Sequence, residues 1–138
     1  MKLILLRIFY SSSFIFFINC VGPPDPDHGL VENFPVIINT NKAFSYDLRG
    51  DSYSIDESID LSLSLTDGIL ASTLIVTDYK NSDTTFVLLQ GVNGEEIYKY
   101  IVTGNTTRVN ANSKTQPKKA LIKSNSFTGI LLWTVTEQ

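Results

Sequence analysis

From Leu30 onward the apolar residues recur at every second position, and no stretch carries the three-and-four spacing of a helical stripe. The clearest run is Ser58 to Thr66. There Ile59, Leu61, Leu63 and Leu65 alternate with Asp60, Ser62, Ser64 and Thr66, the pattern of a strand with one buried face and one wet face. Around it the alternation predicts strands at Val36–Ile38, Ala43–Leu48, Ile69–Thr77, Thr84–Gln90, Glu96–Thr103, Thr106–Val109, Ala120–Lys123 and Phe127–Thr136. Asp67-Gly68 and Asn93-Gly94 are pairs that tight hairpin turns favour, while Lys80 to Asp83 and Gly104-Asn105 mark further reversals. Short segments punctuated in this way predict one all-β domain over residues 30–138. Its expected form is a single antiparallel β-sandwich, immunoglobulin-like or jelly-roll, of about eight or nine strands. Phe44, Phe86, Trp133 and the leucines are assigned to its core.

The chain ahead of this domain follows a different logic. Lys2 and Arg7 are followed by an apolar run, Ile8 to Ile18, interrupted by Ser11-Ser12-Ser13. A charged start and a short apolar core make the layout of a secretory signal, and the run falls short of the roughly 20 apolar residues of a membrane span. It leads to Asn19-Cys20, and Cys20 is the only cysteine in the chain. An unpaired thiol in an exported protein calls for a role other than an internal disulfide. Phe16-Phe17-Ile18-Asn19-Cys20 resembles the lipobox of bacterial lipoproteins in its relaxed, spirochaetal (leptospiral) form. Phe17 stands where the strict pattern has Leu, and Asn19 where it has Gly, Ala or Ser. The resemblance implies cleavage before Cys20, acylation of its thiol, and attachment to the cell envelope, with the outer membrane as the expected site. Residues 1–19 are then the signal peptide and residues 20–29 a lipidated cysteine with a proline-rich tether. At about 0.8 kcal/mol per buried methylene, two or more acyl chains hold a protein on a bilayer almost permanently.

Charge narrows the partners. Removing Met1 to Asn19, and with it Lys2 and Arg7, takes the formal net charge from −3 to −5 and leaves 119 residues. A nucleic-acid partner would need a basic face, so none is expected. The same balance leaves the acyl chains on Cys20, rather than attraction to anionic lipid, as the membrane contact. In the tether, Pro23, Pro24 and Pro26 fix the backbone in extended form. Asp25, Asp27 and His28 lack a second ligand cluster at metal-site spacing and read as solvated linker.

The residues that catalysis would require are missing from the pattern. His28, the single histidine, lies in the tether and so offers no base for a hydrolytic triad. Acylation would remove Cys20 as a nucleophile, and no phosphate loop, HExxH or calcium loop of EF-hand type occurs. Asp56, Glu57, Asp60, Glu95 and Glu96 read as solvated charge at turns and strand edges, with Asp47 to Asp60 as an acidic loop. No catalytic residue, metal or cofactor is assigned, and the chain is expected not to be an enzyme.

Two candidate binding sites follow. Arg49-Gly50-Asp51, followed by Ser52, matches the RGD tripeptide that integrins read in host matrix proteins. Placed on a loop between two strands, its glycine would let a cation and a carboxylate splay apart. Lys114, Lys118, Lys119 and Lys123, in and beside a polar loop over Asn110–Lys119, make a basic patch suited to a sulfated glycan or a plasma protein. The expected function is that of a lipid-anchored, envelope-exposed binding lipoprotein, an adhesin or host-factor ligand acting through loops. The alternative is a periplasm-facing structural or assembly lipoprotein that meets another envelope protein through an exposed strand edge. The anchor is open to direct test. Cys20→Ser should abolish acylation and release or stall the precursor, and a variant that partitions into detergent and is processed as the wild type is would sink the lipoprotein reading.

Overall fold

Two long strands carry the architecture. β2 (Ala43–Asp60) and β7 (Pro117–Glu137) pair antiparallel from Ala43 opposite Thr136 to Asp60 opposite Lys119. The computed structural model describes residues 29–80 and 84–138, so Cys20 and His28 lie outside the described residues. Within them, β1 (Val36–Asn39), β3 (Leu70–Thr77), β4 (Thr85–Gly91), β5 (Glu96–Val102) and β6 (Thr106–Ser113) complete seven strands, with no helix.

β7 has a partner on its far side along most of its length. Its second half pairs with β3 and its first half with β4. One layer therefore runs β1, first half of β2, second half of β7, β3, β6; the other runs second half of β2, first half of β7, β4, β5. The chain is all-β and antiparallel, as its alternation predicts. With each long strand counted as two, the layers hold four strands apiece plus β1. The expected eight or nine strands become seven because two pairs of predicted segments are fused. Ala43–Leu48 runs on into the Ser58 region as β2, and Ala120–Lys123 runs on into Phe127–Thr136 as β7.

The fusion depends on what happens at the bend. Gly50 faces Gly129 across the ladder, and the register shifts between Gly50 and Tyr53. Ser52, with φ 54°, occupies the left-handed region there. A Cβ on Gly50 would stand 2.7 Å from the Phe127 ring, and one on Gly129 (φ 143°) would stand 2.8 Å from the Thr77 carbonyl. Crowding alone requires glycine at position 50, while at position 129 crowding and a positive φ both require it.

The core between the layers is built from the inward positions. Phe44 and Trp133 meet edge to face at 5.4 Å, with Tyr46, Leu48, Leu74, Leu89, Ile122 and Leu131 fully buried around them. Phe86 is corrected: it points outward on β4, opposite Ile101, and is exposed. Away from the long strands, β5 and β6 belong to different layers, and two tyrosines close the gap. The Tyr98 hydroxyl donates to the Leu70 carbonyl (2.8 Å) and accepts the N–H groups of Asn112 and Ser113 (3.2 Å each). The Tyr100 hydroxyl donates to Ser72 Oγ (3.0 Å), which also accepts the Trp133 indole N–H at 2.9 Å. Leaving one such buried group unpaired costs about 1–3 kcal/mol.

Residues 61–68 differ most from expectation. Leu61 and Leu63 are buried and Ser62 and Ser64 exposed, so the predicted faces hold. Yet the segment joins no ladder, and Asp67-Gly68 does not fold β2 onto β3, since β3 pairs with β6 and β7. Side chains stand in for a neighbouring strand. Ser62 N–H donates to Asn39 Oδ1 (2.8 Å), while Leu65 N–H donates to Gln116 Oε1 (2.9 Å) and Gln116 Nε2 donates to the Leu63 carbonyl (2.7 Å). Elsewhere the turn chemistry predicts correctly: Asn93-Gly94, with Gly94 at φ 81°, joins β4 to β5 as a hairpin. The expected loop over Asn110–Lys119 shrinks to residues 114–116, because β6 and β7 extend into it.

Leu63→Ala should cost about 2–5 kcal/mol in denaturant unfolding, against less than about 0.5 kcal/mol for Ser62→Ala. Equal costs would mean that the two faces of this segment are exchanged.

Candidate binding surfaces

Arg49, Gly50 and Asp51 lie inside the continuous strand β2, and the expectation of a flexible loop is corrected. Gly50 is buried against Phe127, Arg49 is half-buried, and Asp51 is exposed. The backbone around them is occupied. The Asn33 N–H donates to the Arg49 carbonyl (2.8 Å), and the Asp51 N–H donates to Asn33 Oδ1 (2.7 Å). Asn33 Nδ2 donates in turn to the Asp51 carbonyl at 3.2 Å. In a strand, residues two apart project to the same side, so the two charges are not splayed around a mobile glycine.

Two of the four lysines of the candidate basic patch are paired with carboxylates. Lys123 Nζ lies 2.9 Å from Asp56 and Lys119 Nζ lies 3.7 Å from Asp60, each across the β2–β7 ladder. Both pairs are exposed and contribute about 0–1 kcal/mol each. The supposed acidic loop is thus part of β2, with its outward carboxylates beside outward lysines. Lys118 precedes Lys119 in β7, and Lys114 lies in the loop before that strand; both are exposed. Among the described residues, no three His, Cys, Asp or Glu converge as a metal site would require.

Among the described residues two ionisable groups are perturbed, and each has a local cause. Burial, then the Glu57 carboxylate, pushes the Tyr46 hydroxyl well above the ordinary tyrosine range. Glu137 Oε1 accepts the N–H groups of Thr66 (2.7 Å), Asp67 (3.0 Å) and Gly68 (2.7 Å). The Gly68 bond, followed by that from Thr66, holds its carboxyl below the usual range. It fastens the turn at residues 66–68 to the end of β7.

The remaining feature was missed in the sequence pattern. The two layers end in four strands: β1 and β6 in one, β5 and the second half of β2 in the other. β6 carries Arg108, β5 carries Glu96 and Lys99, and β2 carries Asp56, Glu57 and Asp60. β1, Val-Ile-Ile-Asn, carries no charge and pairs with β2 alone. Val36, Ile37 and Ile38 are 41%, 42% and 50% exposed, and Phe34 and Val31 just before them are 65% and 69% exposed. The Thr40 N–H donates to the Ala43 carbonyl at 2.9 Å at the turn. By alternation, the backbone groups of Val36 and Ile38 face β2, and those of Ile37 and Asn39 face outward. Natural sheets usually blunt such an edge with charge, a bulge or a cover.

No protein-family model matches the sequence, and neither does any curated protein. Among solved structures, a protein of the disulfide-linked pili of Bacillus endospore appendages aligns with TM-score 0.41 and 12% identity, over 76% of this chain and 90% of that one. The capsular polysaccharide assembling protein CapF from Staphylococcus aureus aligns with TM-score 0.30 and 13% identity, over 76% of this chain and 29% of the other. Likeness at this level transfers neither an activity nor a partner to this chain.

The Glu137 contacts predict a pH response. A carboxylate whose folded pKa is depressed adds stability above its unfolded pKa and loses it as pH falls through the folded value. Glu137→Gln should therefore lower the melting temperature at pH 7, with the gap to wild type closing as pH falls below about 4. A gap that stays constant down to pH 2 would show that the charge on Glu137 is not what fastens the turn.

Proposed function

We propose that this chain is a lipid-anchored envelope protein whose domain is a non-catalytic docking module, joined to its assembly partner by strand addition at β1. The observation that supports this is the β1 edge. β1 is the single edge strand among the described residues with no charged side chain, and it presents outward-facing backbone groups beside three exposed apolar side chains, Val36, Ile37 and Ile38. Strand addition takes affinity from main-chain hydrogen bonds and selectivity from alternate side chains, and both are on offer there. The loop-based adhesin has less support, because the RGD tripeptide sits in a strand and two of the four lysines are paired. The anchor at Cys20 places such a module at the membrane surface, with its tether running into residues just ahead of β1.

The test is a photo-reactive amino acid at position 38 in cells that make the full chain. A discrete protein adduct should form, and a second substitution, Ile37→Lys, should reduce it at least tenfold. Asp51→Glu should leave it unchanged. If no adduct forms at 38, or if the adduct survives Ile37→Lys, the edge is not a docking site.

A further inference from the structure

Building on this edge reading, we propose that the strand added at β1 is β1 of a second copy of this chain, paired antiparallel about a two-fold axis through Ile37. Side-chain parity limits the registers. A two-fold axis normal to the sheet keeps outward positions outward, so Ile37, which pairs with the inward residue Tyr46, must face an odd-numbered partner. Centring on Ile37 sets Ile37 against Ile37 of the partner subunit, and Val36 against Ile38 of the partner subunit. Every strand-centre contact is then aliphatic on aliphatic. Centring on Ile38 would set Ile37 against an asparagine whose amide already bonds the Asp60 carbonyl (2.8 Å) and the Ser62 N–H (2.8 Å).

The main chain fits the same register. With the backbone groups of Ile37 and Asn39 facing outward, the two Ile37 residues exchange a pair of hydrogen bonds. Each Asn39 N–H also meets the Pro35 carbonyl of the other copy, so Pro35, which has no N–H, ends the ladder. Symmetry adds a charge argument. The axis sets the central residue of the strand against its own kind, so a charged residue at that position would meet its like. β1 has none, whereas each of the other three edges has at least one.

A four-bond ladder is small, well under the roughly 1,200 Å² of a specific interface, and would be weak between freely diffusing copies. The chain length outside the structure changes this. Eight residues separate Cys20 from Gly29, a reach of about 28 Å at full extension, and the described chain begins just ahead of β1. Both copies of such a pair can therefore share one membrane, where tethering supplies the effective concentration that the short ladder needs.

Paired Ile37 positions would lie about 5.5 Å apart between Cα atoms, inside the 4.4–6.8 Å range of a disulfide. In the full chain, kept in its membrane and exposed to mild oxidant, Ile37→Cys should give a covalent two-copy species at least tenfold above Ile38→Cys. Co-expressed Val36→Cys and Ile38→Cys chains should cross-link to one another. Wild type is the control for Cys20, and thermal melting confirms that each variant folds. Equal yields at 37 and 38, or none at 37 in a folded variant, would overturn the pairing. A photo-adduct at 38 that contains a different protein would overturn the second copy yet leave the docking edge standing. Loss of every adduct would remove both.

Discussion

The ladder between β2 and β7 is the constraint on which everything else rests, because both layers use it. A sandwich whose layers share no strand can adjust one layer against the other. Here the two long strands must bend together, and they do so where Gly50 faces Gly129. Any side chain at either position would collide, Gly50 with Phe127 and Gly129 with the Thr77 backbone. The same ladder sets the outward pairs Lys123–Asp56 and Lys119–Asp60 and, on its inner side, brings Phe44 against Trp133. Exposed pairs of that kind contribute little, whereas each fully buried large apolar side chain contributes about 1.5–3 kcal/mol. The ion pairs decorate a register that burial fixes. At the opposite end no shared strand exists, and the Tyr98 and Tyr100 hydroxyls tie β5 to β3 and β6 instead.

Much of this was legible in the sequence, because period-two burial is a local property. The all-β class, the hairpin at Asn93-Gly94 and the faces of Leu61 and Leu63 all follow from alternation and turn chemistry. The continuity of β2 was not legible. Gly50 among charged residues has the composition of a loop, and the reason for it, the Phe127 ring, lies 77 residues away in the chain. Nor could composition show that Asn39, Gln116 and Glu137 would serve residues 61–68 in place of a strand. Polar side chains of that type usually face solvent, and only the fold brings them to bare peptide groups. The pairing of Lys119 and Lys123 was hidden for a similar reason, since their carboxylate partners lie across a ladder and not nearby in the chain.

The candidate sites therefore exchanged places. Arg49-Gly50-Asp51 and the lysines stood out in the sequence, and the structure places the tripeptide in β2 and all the lysines but Lys114 in β7. Val36-Ile37-Ile38 was read as one more strand, and the structure leaves it at an edge with apolar side chains in solvent. The sequence contained one cue that its alternation obscured. The other edges each carry charge, as edges exposed to chance pairing generally must, and β1 is the exception.

An uncharged edge is a hazard for a freely diffusing protein, since any extended chain can add to it. Confinement changes the balance. A domain held close to a bilayer by a short tether meets few partners, chiefly those anchored in the same surface, and meets them at high effective concentration. Under those conditions a short strand without charge gains contact that it could not hold in bulk solution. Pro35 limits the damage at one end by removing a donor, and the turn held by the Thr40–Ala43 bond limits it at the other. What remains open is a window about four residues long, enough for one matched strand and too short to seed an extended sheet. The proposed anchor at Cys20 and the bare edge at β1 thus belong to one physical argument, in which the first would make the second tolerable.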